Sequence, residues 1–171
     1  MPQIRQTQIN EAVGLTYAAG IRSILRQDPD VILVGEIRDE ETARMALRAS
    51  MTGHLVLTTL HSNSCLSAPR RLLELGVNPD LLSGNINAII SQRLIKTVMK
   101  SKDILKGSRA PIVEILPVSG DLDRMFLQKA TDQELKNCAE SEGFIAFDKK
   151  AKQQIQSGVF LAEDVEKFIA M

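Results

Sequence analysis

Two largely apolar runs separated by one amphipathic segment stand out in the first 60 residues of the chain. Residues 31–34 form a continuous apolar, β-branched run, which is typical of a strand buried on both faces. Leu55–Leu60 is predicted to be a second buried strand. Between them, Asp39 can cap a helix that is predicted to run to about Met51 and to stop at Gly53. The pattern therefore predicts a strand, a helix and a second strand.

Helical periodicity continues on both sides of these strands. Residues 16–27 place their apolar side chains on one face. Another helix is predicted from Ser64 or Ser67 to about Leu75, and the next begins at Asn78. Strands that alternate with helices at this spacing predict an α/β fold, with a parallel sheet and helices on both faces.

The pattern changes after Gln92. Two shorter strands are predicted, with the sequences RLIKTV and APIVEILPV, around a polar loop near residues 100–110. From Asp121 onward the chain reads as short amphipathic helices. We expect one domain over residues 1–100 and a mostly helical C-terminal subdomain, with two short strands at its start, over residues 101–171.

Composition narrows the possible partners. The 171 residues carry no net charge, and aromatic residues make up 4% with no tryptophan. Neither feature favours binding to nucleic acid. Cys65 and Cys138 are far apart and are predicted to be free thiols in a reducing compartment. The polar N-terminus and the lack of a long apolar run predict a cytoplasmic protein.

Polar side chains follow both predicted strands, where each strand ends. Glu36 follows the first apolar run and His61 follows the second. Ligands bind at the carboxyl ends of parallel strands, and a carboxylate there suits a nucleoside triphosphatase. The alternative is that Glu36 is only an exposed strand-end residue. A zinc site is disfavoured because His54 and His61 lie at opposite ends of one strand and no third ligand has suitable spacing.

A long stretch around these residues resembles the motor ATPases of type II secretion and type IV pilus systems. The stretch reads GLTYAAGIRSILRQDPDVILVGEIRDEETARMALRASMTGHLVLTTLHSN, and the similarity continues through RLLELGV, SQRL and RAPIVEILPV. It extends more weakly into the helical tail, so it covers nearly the whole chain. The resemblance implies a partial RecA-like core and a hexameric motor driven by ATP with Mg²⁺.

The resemblance also implies roles for individual residues. VILVGE would be the Walker B strand, with Glu36 orienting or activating the attacking water and contributing to the Mg²⁺ shell without ligating the metal directly. TGHLVLTTLH would be the histidine box, with His61 near the γ-phosphate and His54 in support. Arg38 would belong to the same edge and contribute to nucleotide binding or an intersubunit contact.

The sequence departs from the family pattern at two places. No GxxxxGK[ST] phosphate loop occurs in the 171 residues, so the chain resembles the C-terminal portion of a motor. The resemblance places the strand of that loop between the two strands described above, which predicts either direct pairing of the two or an open slot. The two CxxC pairs that many relatives carry after QRL are also absent, so no zinc is expected.

We therefore expect the C-terminal part of a cytoplasmic motor ATPase that is inactive alone. Its expected partners are other copies of itself and an inner-membrane platform protein, which would hold it at the membrane periphery. A non-catalytic oligomerisation or interaction module is the alternative. A nucleic-acid translocating ATPase is disfavoured by the neutral charge and the few aromatic residues.

Overall fold

The computed structural model describes residues 4–97 and 109–169, together with the side chains up to residue 167. Within these ranges the chain forms two compact units. One unit runs up to His61 and resumes from Pro69 to Asn85, and the other contains Ser62–Ala68 and the chain from Ile86 onward. The predicted division at residue 100 falls outside the described residues.

The first unit is an α/β unit built on two parallel strands. Its elements are α1 (Tyr17–Ile24, continued by a 3₁₀ turn Leu25–Gln27), β1 (Val31–Ile37), α2 (Glu40–Met51), β2 (Leu55–Leu60), α3 (Ala68–Glu74, which begins at the unit boundary) and α4 (Pro79–Leu82). The strands β1 and β2 pair directly in parallel from Val31↔Leu55 onward. Of the two alternatives the sequence left open, direct pairing is the one observed, and no strand separates them.

Burial of β1 alternates along the strand, so the prediction of burial on both faces is wrong for the described residues. Ile32 and Val34 are buried, whereas Leu33 is 73% exposed. The helices α1 and α2 pack against each other and against the strands, and they cover the side chains on one face only. The side chains that remain exposed are Val31, Leu33, Leu55 and Leu57. The predicted α/β class with a parallel sheet is confirmed.

The second unit combines an antiparallel strand pair with four helices. Its elements are β3 (Ala88–Lys96), β4 (Arg109–Pro117), α5 (Gly120–Leu127), α6 (Asp132–Ser141), α7 (Phe147–Gln156) and α8 (Ala162–Ile169). The two strands pair in continuous register from Ala88↔Pro117 to Lys96↔Arg109. The strand β3 starts five residues before the predicted start at Arg93, because its backbone pairs along the whole length of β4.

A small hydrophobic core holds α7 and α8 against this strand pair. Its buried members are Ile95, Ala110, Ile112, Ala151, Phe160 and Val165. The helices begin at well-defined caps: Ser119 caps α5, and Thr131 forms a reciprocal capping box with Glu134 at α6. The cap residue of α7 is Ala146, whose side chain makes no capping hydrogen bond.

Candidate functional site

Glu36 lies in an irregular part of β1, close to the carboxyl end of the strand. The register passes from Val34↔Thr58 to Ile37↔Leu60, so three steps along β1 match two along β2. One extra residue of this kind is a β-bulge, which bends a strand and redirects a side chain. The hydroxyl of Thr59 donates a hydrogen bond of 2.7 Å to the carbonyl of Gly35 at this point.

Gly35 lies at the bulge, where there is little space for a side chain. A Cβ atom at this position would lie 3.1 Å from the Tyr17 hydroxyl oxygen, which is tighter than ordinary van der Waals contact. Tyr17 is the first residue of α1, so the helix packs directly over the bulge. The sequence analysis did not identify Gly35, Tyr17 or Thr59 as part of the site. A glycine inside an apolar strand was the available signal, because such glycines often mark a bulge.

Two basic side chains meet the Glu36 carboxylate, one at each oxygen. Arg38 Nη2 lies 2.6 Å from Oε1. His61 Nε2, beyond the end of β2, lies 3.4 Å from Oε2. The Glu36 side chain is 20% exposed, whereas that of His61 is 87% exposed. The structure thus brings Glu36, Arg38 and His61 together at one sheet edge. The Glu36 carboxylate is partly buried between two exposed basic side chains.

The charges of this cluster keep Glu36 ionised. The hydrogen bond from Arg38 and the charges of Arg38 and His61 lower the pKa of the Glu36 carboxyl, against the opposing effect of partial burial. The same ion pair raises the pKa of Arg38. At neutral pH Glu36 is therefore a hydrogen-bond acceptor, and it cannot serve as a proton donor.

Asp39 fixes where the strand ends and α2 begins. Its carboxylate accepts hydrogen bonds of 2.8 Å from both the backbone N–H and the hydroxyl of Thr42. Glu40 and Glu41 occupy the first turn, where negative charge complements the helix dipole. The predicted cap and the predicted end at Met51 are confirmed. Arg38 is held directly before this cap.

His54 lies away from the cluster, at the opposite end of β2. Its Nδ1 is 3.0 Å from the carbonyl oxygen of Ala49 and 3.0 Å from Thr52 Oγ1. A carbonyl oxygen only accepts, so Nδ1 carries the proton in the contact with Ala49. The six residues of β2 separate His54 from His61 by roughly 20 Å at the usual rise per residue. His54 closes the end of α2 in this structure.

The side chains at this edge determine which parts of a nucleotide and its metal ion could bind there. Within residues 4–97 and 109–169, no three histidine, cysteine or acidic side chains converge as a metal site. Both oxygens of Glu36 already face bases, so the carboxylate suits a bound water better than direct metal ligation. The cluster therefore offers hydrogen-bonding groups for a water molecule at this edge of the sheet.

Solved structures share the fold. The chain superimposes on the pilus retraction motor PilT with bound ADP with a TM-score of 0.75 and 29% identity, over 90% of this chain and 43% of that one. It superimposes on the ATPase DotB of Legionella pneumophila with a TM-score of 0.74 and 28% identity, over 96% of this chain and 45% of that one. The fold is that of the RecA-like secretion ATPases.

Sequence comparison gives the family. The chain belongs to the Type II/IV secretion system protein family, which matches residues 1–167. It is 34% identical to the type II secretion system protein HxcR of Pseudomonas aeruginosa, over 96% of this chain and 39% of that protein. It is 61% identical to the type II secretion system protein E of Klebsiella pneumoniae over 117 residues, or 67% of this chain and 24% of that protein. The chain spans less than half the length of these relatives.

Two further sequence predictions concern the thiols and the membrane. Cys65 and Cys138 are both free, as predicted, and Cys65 is buried. Among the residues that the structure describes, no helix has the length and apolar character needed to cross a bilayer.

Proposed function

We propose that this chain supplies one side of an ATP hydrolysis site in a motor for type II secretion or type IV pilus biogenesis. The observation that carries the proposal is the convergence of Glu36, Arg38 and His61 at the carboxyl ends of two parallel strands. Ligands bind at this edge in open α/β sheets. Membership of the secretion family supports a phosphate-transfer reaction at this edge.

Each of the three side chains has a distinct part in the proposed reaction. Glu36 accepts a hydrogen bond from the attacking water and orients its oxygen toward the terminal phosphorus. Because the pKa of Glu36 is lowered, orientation is its main contribution, and proton abstraction is weak while Arg38 stays paired. His61 faces the same water or the γ-phosphate, and Arg38 supplies positive charge at the rim. Bound Mg²⁺ would neutralise charge on the phosphates.

We propose that the phosphate-binding loop comes from outside these 171 residues. None of the ten glycines belongs to a GxxxxGK[ST] motif. The backbone amides and the lysine of such a loop supply most of the phosphate-binding energy. The chain alone therefore binds ATP poorly and does not hydrolyse it at a useful rate. Neighbouring copies in a hexamer, and an inner-membrane platform protein that holds the cytoplasmic motor at the membrane, are the partners that we infer from the family.

ATP hydrolysis by the chain alone, and by the chain joined behind the phosphate-loop segment of a family relative, tests this proposal. We expect no turnover from the first protein and turnover from the second. In the joined protein, Glu36→Gln should lower kcat by about 10²-fold, the scale expected when a reacting group loses its correct position, and His61→Gln should also lower it. Nucleotide binding should persist in both variants.

Glu74→Gln is the matched control, because Glu74 is an exposed glutamate of α3 that pairs with Arg71 outside the cluster. It should leave kcat unchanged. Turnover by the 171-residue chain alone that Glu36→Gln abolishes would show that the chain needs no external loop. Full activity of the joined Glu36→Gln protein would remove Glu36 from the mechanism.

A further inference from the structure

The bulge in β1 decides which of two neighbouring side chains enters the core of the first unit. Up to Val34 the strand alternates regularly, with Ile32 and Val34 buried and Leu33 exposed. Regular alternation would bury Glu36 next and expose Ile37. The order is reversed, because Ile37 is only 5% exposed and takes the buried position. The extra residue therefore holds the Glu36 carboxylate at the edge of the sheet instead of in the core.

Thr59 is the residue of β2 that faces the bulge. The register pairs on either side leave Thr59 alone opposite two residues of β1, which are Gly35 and Glu36. A bulge of this kind interrupts the ladder of backbone hydrogen bonds. The Thr59 hydroxyl donates a hydrogen bond of 2.7 Å to the carbonyl of Gly35. A side chain of the neighbouring strand thus joins the two strands at the point where the backbone ladder is irregular.

A second contact limits the bulge from the side of α1. A Cβ atom at Gly35 would lie 3.1 Å from the hydroxyl oxygen of Tyr17, so the backbone there has little freedom to move toward the helix. Bulges are rare in parallel strand pairs, and bulges in general are common next to active sites. Contacts from both α1 and β2 hold this one directly before Glu36, the residue with two basic partners.

We propose that Thr59 is a positioning residue for Glu36. Its hydroxyl holds the bulge, and the bulge holds the carboxylate between Arg38 and His61. All of these residues belong to the first unit. The catalytic meaning of this placement rests on the proposed role of Glu36 in orienting the attacking water. The placement itself is measured without nucleotide, so the two proposals can fail separately.

Thr59→Val tests the proposal in the 171-residue chain, because valine keeps a β-branched side chain suited to a strand but has no hydroxyl. We expect β1 to relax toward regular alternation, which exposes Ile37 and turns Glu36 toward the core. The methyl signals of Ile37 should then broaden when a soluble gadolinium chelate is added to the NMR sample. Those of Ile32, which is 2% exposed, should stay sharp.

The carboxyl carbon signal of Glu36 gives a second readout. The hydrogen bond from Arg38 is the main cause of the lowered pKa of Glu36, and partial burial opposes it. A looser ion pair and deeper burial both favour the protonated form, so the pKa of Glu36 should rise in Thr59→Val. Thr59→Ser keeps the hydroxyl, and it should restore both the pKa of Glu36 and the protection of the Ile37 methyl groups.

Thr58→Val is the matched control. Thr58 precedes Thr59 in the same strand, and its hydroxyl donates to the carbonyl of Thr59, within β2 itself. It should leave both readouts unchanged. Unchanged readouts in Thr59→Val would show that water replaces the hydroxyl and that the bulge stands without it, which would overturn the proposal. An equal change in Thr58→Val would also overturn it, because the effect would then not depend on the bond to Gly35.

The same substitution has an expected kinetic effect in the joined protein. Thr59→Val should lower kcat about tenfold, on the scale of one lost hydrogen bond, while the Kd for nucleotide stays the same. Thr59→Ser should recover most of the activity. An unchanged kcat in Thr59→Val would contradict the positioning role. If the joined protein itself has no turnover, the proposed function fails, and the two NMR readouts decide whether Thr59 positions Glu36.

Discussion

Glu36 and Glu114 are both strand glutamates with two partners, yet their surroundings give them different tasks. Glu36 meets two charged or ionisable side chains at a solvent-facing edge. Glu114 is buried and meets two backbone N–H groups. Side-chain partners at a sheet edge can rearrange when a ligand enters. Backbone amides in a core can move only if the chain itself moves.

The difference shows how partners and burial together separate a reactive carboxylate from an anchoring one. Loss of Glu36 removes a charge that water and ions can replace. Loss of Glu114 leaves buried donors without acceptors, which costs more than the hydrogen bonds contribute. Charge alone would not distinguish the two residues. The four experiments below test this contrast in order of decreasing expected effect.

The largest expected effect is on the reactivity of Cys65, beside Glu114. Burial, and then the charge of Glu114, raises the pKa of the Cys65 thiol to about 12. Because of this raised pKa, the thiolate fraction of Cys65 at pH 8 should be about 10³-fold below that of an ordinary cysteine. Only the thiolate reacts with an alkylating agent, so the rate of alkylation should fall by a similar factor. Iodoacetamide should therefore modify the partly exposed Cys138 first.

Mass spectrometry of Cys65→Ser and Cys138→Ser proteins assigns the two rates. Glu114→Ala should accelerate alkylation of Cys65 by removing the nearby charge and loosening the segment that contains it. Equal rates at the two cysteines in the unsubstituted chain would show that the surroundings of Glu114 are open to solvent, and the contrast with Glu36 would then fail.

The next effect is on stability. Glu114→Ala should lower the free energy of unfolding by about 2–3 kcal/mol, because the buried N–H of Phe147 loses its acceptor. Glu36→Ala should leave the urea midpoint nearly unchanged, since water reaches its partners. Urea titrations with an unchanged m-value measure both. A larger loss for Glu36→Ala than for Glu114→Ala would reverse the roles that the structure gives them.

Sequence alone predicted those parts of the fold that depend on neighbouring residues. The helix α2, its cap at Asp39 and its end at Met51 follow from local hydrogen bonding and periodicity. The shared edge of Glu36 and His61 follows from the geometry of parallel strands. The bulge at Gly35 was not predicted, because it depends on how β1 and β2 align.

Long-range pairing explains the other gaps. Glu114 was not identified because its partners, Cys65 and Phe147, are 49 and 33 residues away. The start of β3 was misjudged because pairing with β4 sets it. The supporting role that the resemblance implies for His54 stays a prediction, with His54 and His61 at opposite ends of the six-residue strand β2. Composition and periodicity report only which side chains become buried, and not which backbone groups they meet.

A smaller effect is expected at Asp39, next to the Glu36 cluster. Asp39→Ala should cost about 1 kcal/mol, the usual value of a helix N-cap, because Thr42 loses the acceptor of its N–H. Asp39→Asn is the control, since its amide oxygen can still cap the helix. Thermal unfolding of the two variants separates the cap from the charge. Equal losses would mean that the carboxylate charge matters here more than the hydrogen bond does.

The smallest effect concerns the titration of Glu36 itself. The pKa of Glu36 is lowered in the folded chain, so stabilisation by its ion pairs is present above the unfolded-state pKa and is lost as pH falls through the folded-state pKa. Arg38→Met removes the main cause and should raise the pKa toward the reference value of 4.5. The carboxyl carbon signal in a ¹³C NMR titration measures it. His61→Gln should raise the pKa less, because Arg38 lies closer. A larger rise in His61→Gln would make the imidazole the principal partner of Glu36, and the carboxylate would then be governed from the end of β2 and not from its own strand.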